Sequence, residues 1–140
     1  MLAEMTQDRA TKYRIAIGEN HPDLAESLAM LIDFQEDMES VGHGSSTAAI
    51  LAIEAASSPD AYVLDLSLDD GSSIGLMKTL RSARADAVLI AYTGHSNPAL
   101  TDQCRKAGCD LVLTKAGPVD ELLNAIRGAL KTRRHPATTV

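Results

Sequence analysis

Tryptophan is absent from the 140 residues, phenylalanine occurs once (Phe34), and tyrosine three times. So few aromatics leave no platform for stacking nucleic-acid bases. Basic residues are also in deficit: 13 Lys and Arg face 19 Asp and Glu, a net charge of −6. Nonspecific nucleic-acid binding rests on neutralising phosphates, so this balance excludes it as the main activity. Cysteine is limited to Cys104 and Cys109, too few for a disulfide framework and not spaced as C-x-x-C. No apolar run approaches the roughly 18–20 residues that span a bilayer. The opening MLAEMTQDRATK has no apolar core of a secretory signal. The expectation is a cytoplasmic domain that makes no use of a membrane. Its 45% hydrophobic content suits one ordinary core.

Short apolar runs alternate with amphipathic stretches, the pattern of strand–helix–strand units on a parallel sheet. The runs are Tyr13–Gly18, a weak one near Met38–Gly42, Ala61–Leu66, Ala87–Thr93 and Leu111–Thr114. Between them, Pro22 opens a helix with a stripe of Leu24, Leu28, Leu31 and Ile32. Ala48–Ala56 reads as a second helix, capped by Ser45, Ser46 or Thr47 and stopped by Pro59. Ile74–Ser82 carries Ile74, Met77 and Leu80 at helical spacing. Pro98 opens a fourth helix with Asn97 as cap and Gly108 past its end. The last begins at Pro118, with Asp120 and Glu121 first and Lys131, Arg133 and Arg134 last, an order that complements the helix dipole.

Polar residues stand out at the carboxyl ends of these strands: Glu19 and Asn20, Asp65, Thr93, Lys115. Open parallel sheets bind ligands outside those ends, where connections diverge to opposite faces. Residues a hundred positions apart are therefore predicted to converge at one edge. An Asp beside Val63, Leu64 and Leu66 is also costly to bury without a partner. The histidines, His21, His43, His95 and His135, lack metal-ligand spacing and read mostly as surface residues.

With GENHP, VLDLSLDDGS, AYTGH and LTKAG in this order, the chain resembles the receiver domains of two-component response regulators. The resemblance runs from Tyr13 to about Leu130. It implies an α/β, flavodoxin-like (CheY-like), doubly wound sheet of five parallel strands, order 2-1-3-4-5, with five helices. Residues 13–131 would form the domain, with an extension at 1–12 and a flexible tail at 132–140. The resemblance assigns Asp65 as phosphoacceptor and Thr93 and Lys115 as phosphoryl contacts. Glu19, Asn20, Asp65 and the Ser67 carbonyl would hold Mg2+. His95 would tune the lifetime of the acyl phosphate. A carboxylate nucleophile, an oxygen-rich cation site and a fixed ammonium are the parts that phosphoryl transfer needs.

The resemblance also implies a phosphoryl donor, either a histidine kinase or a histidine phosphotransfer protein. With only KTRRHPATTV after the last helix, the expectation is a stand-alone receiver without direct DNA binding. Its output would be a protein target reached through the fourth helix, fifth strand and fifth helix, a face that could also serve a homodimer. It is expected not to be an enzyme.

Four departures bear on this. Asn20 replaces a second acid, and Asp69 or Asp70 is expected to restore the charge through a water. Ser73 stands where glycine is usual, and Val112 where an aromatic switch residue is usual. Ala116 follows Lys115 in place of proline, leaving the geometry of that bond open. Asn20 and Val112 together suit an alternative, a phosphorylation-independent interaction module. An aspartate-nucleophile phosphatase is disfavoured because Ser67 holds the place of its acid/base.

Overall fold

A computed structural model describes residues 12–133. The terminal segments 1–11 and 134–140, with Arg134 and His135, lie outside the described residues. Five strands, β1 (Tyr13–Gly18), β2 (Met38–Gly44), β3 (Ala61–Leu64), β4 (Val88–Thr93) and β5 (Leu111–Thr114), form one sheet. All neighbours are parallel and the order is β2-β1-β3-β4-β5, as expected. Five helices connect and close it: α1 (Pro22–Asp33), α2 (Thr47–Ser57), α3 (Ile74–Ala83), α4 (Pro98–Lys106) and α5 (Val119–Thr132).

Strand periodicity divides the core into two layers. Ile15, Ile17, Val63 and Ile90 face α1 and α5, meeting Leu28, Ile32, Leu122 and Ile126. Ala16, Tyr62, Leu64 and Leu89 face the other way, toward Ile50 of α2 and Leu76, Met77 and Leu80 of α3. Burial on both faces explains why β3 and β4 read as unbroken apolar runs.

Local chemistry sets the element ends. Of the three candidate caps of α2, Ser46 is the one used, its Oγ accepting from Ala49 N at 3.1 Å. Asn97 caps α4 through Leu100 N at 2.9 Å. Gly108, at φ +106°, reverses the chain after that helix.

Four expectations need correction. The strand β3 ends at Leu64 instead of Leu66 because the chain turns at Asp65 into a two-stranded ribbon, Ser67–Leu68 against Gly71–Ser72. β2 runs on to Gly44 and carries a bulge: Ile15 pairs Ser40 while Ala16 pairs Gly42, so Val41 is the extra residue. Helix α5 begins at Val119, with Pro118 in extended geometry as its cap. Leu31 lies on the flank of the α1 stripe and stays exposed, whereas Ala25 takes its place in the core.

Candidate functional site

Each site residue follows a strand that the sheet fixes. Glu19 N donates to Gly44 O at 3.0 Å, Asp65 N to Gly18 O at 2.7 Å, and Lys115 N to Thr93 O at 2.8 Å. These bonds extend the parallel ladder by one residue at the carboxyl ends of all five strands, at the point where connections from β1 and β3 diverge. Among the described residues only Glu19, Asp65, Ser73 and Thr93 are buried polar side chains, and three of these four belong to the predicted constellation.

Lys115 joins the set across 96 and 50 residues of chain. Its Nζ lies 2.7 Å from Glu19 Oε1 and 3.0 Å from Asp65 Oδ2. Burial raises the Glu19 carboxyl, which is only 2% exposed, but hydrogen bonds from Lys115 and His21 outweigh it and hold the group below the ordinary glutamate value. Burial likewise lowers the Lys115 ammonium, and its two carboxylate partners more than reverse this, so its pKa is raised. The second oxygen of Asp65, Oδ1, accepts from Ser67 N at 3.2 Å. The arrangement is a charge-compensated cradle: two carboxylates on one ammonium, each with an oxygen facing elsewhere.

A cleft of about 840 Å³ opens beside it, lined by Asn20, Asp65, Ser67, Thr93, His95 and Lys115, among others. The Thr93 hydroxyl is turned into its own loop, donating to His95 O at 2.9 Å. His95 itself is exposed at the rim.

Two expected modulators are not brought to the cleft. Asp70 accepts from Thr47 N at 2.9 and 3.1 Å, so it caps α2 from a neighbouring loop. That backbone hydrogen bond is the main reason its pKa is lowered. Asp69 is exposed in the ribbon's turn, outside the cleft lining. Neither residue lines the cleft or joins the group formed by Glu19, His21 and Asp65. Val112 pairs with Ala91 and packs in the α2–α4 layer, away from the cleft lining. Among the described residues there is no cis peptide bond, so Lys115–Ala116 is trans.

His21 is one of the four histidines that lack metal-ligand spacing in the sequence. Its side chain is 73% exposed, yet Nδ1 lies 3.0 Å from Glu19 Oε2, and its backbone N–H donates to the same oxygen at 3.1 Å. A His two residues after a buried acid, just before the helix-opening Pro22, was the available signal. One ligating atom from each of Glu19, His21 and Asp65 falls within 4.8 Å of the others.

The residues fit a divalent cation. Asn20 Oδ1 is buried and has no hydrogen-bond partner, an orphan acceptor on a residue that follows Glu19 in the chain and lines the cleft with Asp65. Oxygen donors of this kind suit Mg2+.

Sheet order and helix placement define a doubly wound α/β domain with carboxylates at its strand ends, and the sequence comparison agrees with that fold. The profile of the response regulator receiver domain matches residues 15–127, and the chain belongs to that family. Its relatives include an uncharacterized transcriptional regulatory protein, YvfU, of Bacillus subtilis, 29% identical over 125 residues, covering 86% of this chain and 60% of the relative. A probable transcriptional regulatory protein NarL of Mycobacterium tuberculosis is 23% identical, over 92% of this chain and 60% of its own. The chain thus spans about 60% of the length of these relatives. Among solved structures, a LuxR-family two-component response regulator from Aurantimonas superposes with a TM-score of 0.82 at 25% identity, covering 88% of both chains. A CheY-like receiver domain protein from Methanospirillum hungatei gives 0.79 at 21% identity, covering 86% of this chain and 94% of that one, a likeness of fold.

Proposed function

We propose that this receiver is a working phosphoacceptor, taking a phosphoryl group on Asp65 from a phosphohistidine of a kinase or phosphotransfer protein. The observation that carries the reading is the bridge of Lys115 Nζ between Glu19 and Asp65. An Asp65 carboxylate oxygen attacks phosphorus, an O–P bond forms, and the P–N bond to the donor imidazole breaks. The electron pair returns to the imidazole nitrogen, which takes a proton. Lys115 keeps its place beside Asp65 and compensates the added negative charge. Thr93 can turn its hydroxyl from His95 O toward the new phosphoryl oxygens, drawing the loop before α4 with it.

Glu19, Asn20, Asp65 and the Ser67 backbone would hold Mg2+, which when bound supplies positive charge against the transferring phosphoryl oxygens. The acyl phosphate then biases surfaces of α4, β5 and α5 toward a protein target, or toward a second copy of the chain. The reading includes no catalytic turnover, since Ser67 offers no carboxylate as acid/base. A cytoplasmic setting follows from the donor chemistry, and no described helix is long and apolar enough to cross a membrane.

Incubation with acetyl phosphate and Mg2+, followed by intact mass and peptide mapping, tests this. One phosphoryl group on Asp65, absent in Asp65→Asn, is the expected result. Asn20 favours one competing reading, an interaction module that needs no phosphoryl group. An unmodified protein that still binds its partner would establish that module in place of the phosphoacceptor.

A further inference from the structure

We propose that His21 is a metal ligand of this cleft, so that the site takes borderline transition-metal dications such as Ni2+ or Cu2+ through mixed nitrogen and oxygen donors. The inference rests on the reading of the cleft as a cation-binding phosphoacceptor site and extends it to the kind of cation.

Three observations meet here. One donor atom each of Glu19, His21 and Asp65 lies within 4.8 Å of the others, close enough to share one ion. Lys115 takes Oε1 of Glu19 and Oδ2 of Asp65, while Oε2 meets only His21 and Oδ1 only the Ser67 N–H, so each keeps lone-pair capacity away from the ammonium. Asn20 Oδ1, by contrast, is buried and has no hydrogen-bond partner. The donor set is therefore two carboxylates, one amide oxygen and one imidazole.

That set can hold Mg2+, but with less charge than a site with a further carboxylate would offer it. An amide in place of a carboxylate removes one negative charge, which a hard cation bound by oxygen feels most. An imidazole nitrogen adds little for Mg2+ and much for Ni2+, Cu2+ or Zn2+. The side chain has room to serve, because it is 73% exposed and makes no capping bond to α1. To ligate, Nδ1 exchanges its contact with Glu19 Oε2 for the cation, with the ring proton on Nε2 toward solvent. Among the other described histidines, His95 also lines the cleft, so it is the competing imidazole.

The test uses the full chain with Ni2+ or Mg2+ in calorimetry and Cu2+ in electron paramagnetic resonance. In His21→Gln, affinity for Ni2+ is expected to fall about tenfold or more, the scale of losses at metal sites. Mg2+ affinity should change far less, and the nitrogen coupling on Cu2+ should vanish. In His95→Gln the coupling should persist. If Ni2+ affinity and the nitrogen coupling survive in His21→Gln, the assignment is overturned. Phosphoryl labelling of Asp65 with Mg2+ separates the two claims: if labelling persists after that result, only the imidazole assignment falls.

Discussion

The two ends of the sheet hold their charges in opposite ways. At the amino end the cations are arginines with their donors fixed on backbone. Arg81 reaches the carbonyls of Gly108, Ala85 and Ala87 and the Asp110 carboxylate, tying α3 to the start of β4 and the turn before β5. Arg84 joins Glu54, which also accepts from the buried Tyr62 hydroxyl, and Arg133 holds Asp60. At the carboxyl end a single lysine holds two carboxylates and no carbonyl. A planar fork bound to several fixed acceptors is a staple, while a compact ammonium on a flexible stem is a charge that can accommodate a third party. The proposed phosphoacceptor site lies where the second kind of bonding is used.

That contrast can be broken from either side. The largest effect is expected at the amino end: Arg81→Ala takes the donor from the Gly108, Ala85 and Ala87 carbonyls and the counter-charge from Asp110, which keeps only Leu89 N, and should lower stability by about 3 kcal/mol in urea unfolding. Arg81→Lys should recover little of it, because one ammonium cannot reproduce the fork. Phosphoryl labelling of the folded fraction should be unchanged.

Lys115→Met should be of similar size, about 3 kcal/mol near neutral pH, since it strands a carboxylate that is 2% exposed. Here pH separates the two ends. In the parent chain Glu19 titrates below its ordinary value of 4.5, so its contribution is present above that pH and is lost as pH falls through the lowered value. Without Lys115 its hydrogen bond and charge no longer hold the carboxyl down, so the carboxyl titrates higher than in the parent chain and the deficit of the variant should shrink on acidification. A deficit independent of pH would contradict the assignment of Lys115 as the counter-charge of Glu19.

Smaller changes sharpen the picture around the cradle. Ser73 is fully buried at the start of α3 with its Oγ unpartnered, so Ser73→Ala should raise stability by about 1 kcal/mol. Ser46→Ala should lower it by about 1 kcal/mol through loss of the α2 cap. Neither should alter labelling of Asp65.

The parts of this protein visible in its sequence are those governed by burial. Asp65 ends a run in which every neighbour is apolar, and Lys115 follows LVLT, so both stood out and both meet in space. The alternation of strands and helices was legible for the same reason, since strands covered on both faces read as unbroken apolar runs, whereas the strand order came from the resemblance to receiver domains. What stayed illegible depends on tertiary placement or on short polar segments. The ribbon 67–72 is made of Ser, Asp and Gly with one Leu, too short to show a strand pattern. The role of Asp70 as a cap is set by Thr47, 23 residues away. His21 is exposed and lacks any ligand spacing, and only the position of Glu19 gives it a partner. The bulge at Val41 follows from pairing with β1, which β2 alone does not encode.

The central claim is that Asp65, compensated by Lys115 and flanked by Glu19 and Asn20, is a phosphoryl-accepting carboxylate. Fluorine NMR of the protein with beryllofluoride and Mg2+ examines it most directly. The account predicts a protein-bound fluoride resonance with Mg2+ that is absent in Asp65→Asn. Only free beryllofluoride signals from the parent chain, at saturating Mg2+, would contradict it.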